Sequence, residues 1–151
     1  MPTTALGPSD SDFDYQTYPF YLLSRASGRY NAAMEAALKP LDLDQARWRI
    51  LLVLAQHEAL GTQEIARKVV YKLSTTTRMV QRLERDGYVI TRQSDADGRI
   101  RNVAITEAGH RVVDQSRPLA QSFYAAAFDG ISNTELQAFS KVLAAIDTKL
   151  R

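Results

Sequence analysis

The chain contains no cysteine, two histidines (His57 and His110) and no apolar run approaching the length of a membrane span, about 20 residues. Each shortage removes a class of function. Without cysteine there is no disulfide, no thiolate metal site and no thiol redox switch. Two histidines far apart in sequence, with no Gly-x-Ser-x-Gly turn and no glycine-rich phosphate loop, leave no nucleophile–base pair from which to build an enzyme. They read as surface or interface residues, and no metal or other cofactor is expected. The N-terminus lacks a basic start followed by an apolar stretch, so no signal peptide is legible and a cytoplasmic protein is expected.

What is present is a lopsided charge distribution. The net charge is only +2 over 151 residues. Yet residues 67–101 hold nine Lys/Arg against four acids, a local +5, while residues 15–66 and 102–151 each balance five against five. Asp10, Asp12 and Asp14 make the N-terminal stretch acidic. The surplus positive charge thus sits in one 35-residue segment, as a localised nucleic-acid footprint requires.

Pattern divides the chain further. Residues 1–14, rich in Pro, Gly, Ser and Asp, read as a disordered tail. A first helix is expected over Tyr18–Leu38, where Phe20, Leu23, Ser27, Tyr30, Met34, Ala37 and Leu41 form a seam at alternating steps of three and four; Pro40 ends it. Asp44 is placed to cap a second helix to about His57, with Trp48, Leu51, Leu52 and Ala55 inward. Gly61 breaks the chain, and Thr62 caps a third helix carrying Ile65, Ala66 and Val69.

A fourth helix follows over Ser74–Asp86, capped by a hydroxyl and stopped by Gly87. Thr75, Arg78, Arg82 and Arg85 fall on one face, with Thr76, Val80 and Leu83 on the other. Tyr88–Gln93 and Asn102–Ile105 read as a hairpin around an Asp95–Gly98 turn. Thr106 caps a long fifth helix, kinked near Pro118 and ending near Phe128. Ser132 and Glu135 form a capping box opening a sixth, in which Leu136, Phe139, Leu143, Ile146 and Leu150 keep a 3-4-3-4 spacing.

The expected fold is mainly α with a small β-hairpin wing: a winged helix-turn-helix over residues 44–105, with helical segments 15–43 and 106–151 serving dimerisation. The small lobe cannot cover the seams of helices one, five and six, and a two-fold homodimer is the simplest way to bury them.

This arrangement resembles the MarR family of bacterial transcription regulators. The matching stretches are Thr62–Ala66, Ser74–Val80, Leu83–Val89, and the wing Asp95-Ala96-Asp97-Gly98-Arg99 running into Val103–Gly109. The resemblance implies a homodimer that represses genes from a pseudo-palindromic operator and releases DNA on binding a small, often phenolic, acid. Tyr18–Arg25, Gly28–Tyr30 and Arg47–Leu51 are similar to members that sense hydroxycinnamoyl-CoA thioesters or lignin-derived aromatic acids, which points to aromatic compound catabolism.

The DNA-binding candidates are Lys72, Ser74, Thr75, Thr76, Arg78, Gln81, Arg82, Arg99 and Arg101. Ser74, Thr75 and Thr76 would place hydroxyls and helix-terminal amides at phosphates or base edges. Arg78 and Arg82 can reach bases, Lys72, Arg85 and Arg101 phosphates, and Arg99 a narrow minor groove. In the wing, Gly98 would permit the turn while Asp95 and Asp97 orient an arginine. Paired reading helices predict half-sites about one helical turn apart. For an anionic aromatic or acyl-CoA effector the candidates are Ser24, Arg25, Gly28, Arg47, Trp48 and Arg49, with only one of Arg47 and Arg49 able to face inward. The competing readings are a regulator without a ligand and a helical protein-interaction module.

Overall fold

The computed structural model describes residues 7–151. The chain resolves into two compact units, one up to Leu119 and one from Ala120 on. The division falls within a helix rather than at the wing's exit.

In the first unit, part of the expected N-terminal tail lies outside the described residues (1–6). The rest is not featureless: the Gly7 amide donates to Asp10 Oδ2 at 2.6 Å, and Asp14 caps a 3-10 turn at Tyr15–Thr17. Helix α1 (Pro19–Leu38) starts with Pro at N1, where its missing N–H costs nothing. Only Met34 and Leu38 of this helix are buried, and Phe20, Leu22 and Tyr30 stay exposed. Pro40 does not cut the chain off sharply; a 3-10 turn at Lys39–Leu41 continues it to Asp42 in the left-handed conformation.

Helix α2 (Gln45–Leu54) is capped by Asp44 as expected, its carboxylate accepting from the Arg47 amide at 2.7 Å. It ends three residues before His57. Its buried face is Trp48, Ile50, Leu51 and Leu54, so Leu52 and Ala55 are only half-buried. Gly61, not Thr62, is the N-cap of α3 (Thr62–Val69). Leu60–Gly61 also forms a short strand, β1, that a two-residue segment gives no periodicity to reveal.

Helix α4 (Leu73–Arg85) follows, then β2 (Val89–Gln93) and β3 (Arg101–Ile105). The three strands form an antiparallel sheet in the order β1-β3-β2, with Leu60 opposite Val103 and Val89 opposite Ile105. Gly87 closes α4 at φ +79: its amide donates to Glu84 O and the Tyr88 amide to Leu83 O, the double bond pattern that demands a left-handed residue. Thr106 Oγ1 accepts from the Gly109 amide, capping α5 (Glu107–Ala127), and donates to Gly87 O at 2.7 Å. Gly109 is needed for a different reason. A Cβ there would lie 2.3 Å from Tyr88 O, so the first turn of α5 can lie this close to Tyr88 and Ile105 only because that position has no side chain.

In the second unit, the last turns of α5 lead through Gly130 (φ +76) into α6 (Asn133–Lys149). The Ser132/Glu135 capping box is complete. The apolar residues of α6 recur as the spacing predicts, but the helix has no buried residue; Phe139 is 48% and Leu150 72% exposed.

Candidate nucleic-acid interface and effector cleft

Helix α4 presents two unlike faces. Thr76, Val80 and Leu83 are buried at 0%, 5% and 0% exposure, locking the helix onto its lobe. Ser74, Arg78, Gln81, Arg82 and Arg85 are exposed and Thr75 is half-buried. Thr76 is therefore a correction. Its hydroxyl, expected at phosphates, donates instead to Lys72 O at 3.1 Å inside the lobe. Ser74 is corrected too: it is the second residue of α4, not its cap. Lys72 occupies the cap position, and no side chain among the described residues bonds the first amides. Those amides and Lys72 thus form a cationic helix start able to take a phosphate.

Sequence reasoning missed Leu73 and Thr77, which share the exposed stripe with Gln81 at steps of four. Leu73 is 47% exposed. A leucine reads as core by composition, and only the helix's observed orientation turns it outward.

The wing carries Arg99 and Arg101 exposed. Its turn is closed by Ile100 N donating to Asp97 O (2.9 Å) and Ser94 N donating to Ile100 O (2.8 Å). Asp97 Oδ1 accepts from the Arg99 amide at 3.0 Å, so it sets the arginine's position through the main chain. Gly98 is a correction: it does not adopt positive φ, and a Cβ there would meet open space. Asp95 is exposed at the tip.

Arg47 and Arg49 point opposite ways, and the inward one is committed to structure. Arg47 is 2% exposed. Its guanidinium donates to Asp44 Oδ2 (2.8 Å), to Asp42 O (2.6 Å) and to Asp86 at the end of α4. Burial works against its charge, but the hydrogen bonds and negative charge of Asp44 and Asp86 more than offset it and raise its pKa. Arg82 also lies 3.7 Å from Asp44 Oδ2, so one carboxylate bridges the buried arginine and the exposed one. The expected effector contact at Arg47 is thus replaced by a clamp between the start of α2 and the end of α4.

Arg49 enters a cleft of about 360 Å³ between α1, α2 and α3. Its guanidinium stacks 5.1 Å from the Tyr71 ring centroid and donates to the Tyr71 oxygen at 3.3 Å. Tyr71 in turn donates to Gln45 Oε1, and Gln45 Nε2 to Asn31 Oδ1. Lys68 adds a second cation, and Tyr30 and Trp48 supply aromatic wall. Partial burial raises the Tyr30 pKa, opposed by the nearby charge of Arg49, so its hydroxyl is uncharged at physiological pH. Trp48 is mostly core: 4% exposed, its indole N–H donates to Ser116 Oγ at 2.8 Å.

Ser24, Arg25 and Gly28 lie apart from this cleft. They are exposed on α1 and absent from the cleft lining, and Arg25 donates to Tyr21 OH one turn back. The α1 residues in the cleft are Ser27, Tyr30 and Asn31.

A model of the MarR family matches residues 43–100, which span the start of α2 through the wing turn. Over 90% of this chain and 81% of the relative, the sequence is 35% identical to the HTH-type transcriptional repressor IacR of Pseudomonas putida. The chain belongs to the MarR family. It is a winged-helix transcription regulator that binds DNA. Solved MarR-family structures extend the match. A regulator from Silicibacter pomeroyi is 30% identical with a TM-score of 0.83, covering 91% of this chain and 93% of that one. CouR from Rhodococcus jostii RHA1, bound to p-coumaroyl-CoA, is 25% identical with a TM-score of 0.81, covering 88% and 94%.

Proposed function

We propose that this MarR-family regulator acts in the cytoplasm as a homodimeric repressor, released from a pseudo-palindromic operator by an anionic aromatic acid or its CoA thioester. The observation that carries the effector half is the cleft in which Arg49 and Lys68 stand beside Tyr30 and Trp48. Two cations at an aromatic wall suit a carboxylate or phosphate attached to a ring. CouR, bound to p-coumaroyl-CoA, supports that class. All named relatives above are regulators, which favours this reading over an enzyme.

DNA contact is assigned to the exposed face of α4 (Ser74, Thr75, Arg78, Gln81, Arg82), to Lys72 at its start, and to Arg99 and Arg101 in the wing. The dimer rests on the seams: Leu136, Phe139, Leu143, Ile146 and Leu150 recur along α6, and none is buried. Burying each side chain would contribute roughly 1.5–3 kcal/mol, ample to hold two copies together.

The effector acts only through its preference for one spacing of the two reading helices. Release by 10- to 100-fold requires a differential of about 1.4–2.7 kcal/mol. Sedimentation fixes the oligomer, and a monomer refutes the dimer. Titration with p-coumarate and p-coumaroyl-CoA, with and without Arg49→Ala, tests the cleft. Binding by neither compound, or binding untouched by Arg49→Ala, refutes the assignment.

A further inference from the structure

Helices α3 and α4 both end on a left-handed residue followed by an amide that reaches five residues back (Tyr71 to Ala66 O, Tyr88 to Leu83 O), but the left-handed residues are very different. At the end of α4 the left-handed position is Gly87. At the end of α3, Tyr71 N donates to Ala66 O and Val70 N closes on the same carbonyl, which puts Val70 at φ 59, ψ 46. A β-branched residue is a poor occupant of that region, because Cβ crowds the following carbonyl. Burial of its side chain does little to offset the strain, since Val70 is 78% exposed. A strained, exposed residue of this kind points to a role for its side chain outside the fold.

Three residues on, Leu73 opens α4 with 47% of its surface exposed. It heads the stripe that continues through Thr77 and Gln81. Val70 and Leu73 thus place two exposed apolar side chains at the corner where the chain enters an otherwise polar, cationic helix, with Lys72 between them in sequence.

We propose that this corner reads a thymine methyl group in the operator, adding an apolar specificity contact to the polar ones. The C5-methyl of thymine is the apolar feature that the major groove displays, and small aliphatic side chains are its natural complement. The inference rests on the assignment of α4 to the major groove.

The test compares the protein's own promoter fragment synthesised with thymine or with uracil throughout. The two pair identically and differ only by the methyl. At fixed salt, the wild type binds the uracil fragment at least about threefold more weakly, a loss of about 0.7 kcal/mol. Val70→Gly and Leu73→Ala each weaken binding to the thymine fragment by a similar factor and lose most of the discrimination. Val70→Gly also melts a few degrees higher than the wild type, because glycine relieves the strain. Equal binding of both fragments by the wild type overturns the proposal, as does an unchanged thymine-to-uracil ratio in both variants. An apolar corner serving a protein partner gives that same indifference to the methyl. If Arg78→Ala also leaves promoter affinity unchanged, the failure lies with the placement of α4 itself.

Discussion

Replacing Arg47 by alanine is the sharpest test of how the reading helix is held. The guanidinium is 2% exposed and meets two carboxylates and a carbonyl, joining Asp42 and Asp44 at the start of α2 to Asp86 at the end of α4. Removing one partner of a fully buried ion pair costs about 3–5 kcal/mol, largely by stranding the remaining charge. Here the stranded groups are not fully buried: the side chains of Asp44 and Asp86 are 25% and 33% exposed, so water restores part of the loss. The Asp44 cap survives, because it accepts from the Arg47 main-chain amide. We expect a net destabilisation of about 3 kcal/mol, which for a chain of this length lowers the melting temperature by about 6–12 °C. Asp86→Asn, which keeps an acceptor for Arg47, should cost only about 1 kcal/mol. Urea unfolding at one fixed protein concentration measures both, since association would otherwise shift the midpoint. An Arg47→Ala loss below 1 kcal/mol, or equal losses for the two variants, would refute the clamp.

Other substitutions probe single links in the same chain of argument. Thr76→Val, with its hydroxyl inside the lobe, should leave operator affinity within about twofold, whereas Arg78→Ala should cost about 1–3 kcal/mol if it contacts a base; mobility shifts compare them. Gly109→Ala forces a methyl against Tyr88 O and Ile105, and should destabilise by about 2 kcal/mol in thermal melts. Thr91 Oγ1 is buried without a hydrogen-bond partner among the described residues, so Thr91→Val should raise stability by up to about 1 kcal/mol in the same assay. The Ser132 hydroxyl and amide lower the pKa of Glu135 below its ordinary value. Its contribution is therefore complete above that ordinary value and is lost as pH falls through the lower folded one. Circular dichroism of Glu135→Gln should show a flatter acid limb than the wild type.

Local signals in the chain were enough for the order of elements. Asp44, Gly87, Thr106 and the Ser132/Glu135 pair each act within a few residues of themselves, and each forms the cap its chemistry implies. The same holds for the two-sidedness of α4, where helical spacing alone separates Val80 and Leu83 from Arg78 and Arg82. The concentration of positive charge between residues 67 and 101 likewise needed no coordinates. A two-residue strand such as β1 has no period, and its existence depends on β3 arriving beside it.

What the amino-acid sequence determined by itself is thus the helical order, the wing and the cationic face, because caps, periodicity and charge are properties of neighbours in the chain. What only the tertiary structure decided is which side chains are free to act. Arg47 and Arg49 look interchangeable in sequence, yet carboxylates contributed by the start of α2 and by the end of α4 enclose the first, while the second is left at a cleft with Tyr71. Thr76 turns inward and Leu73 outward for the same reason: burial is set by which face of α4 meets the lobe, and that contact joins residues distant in the chain.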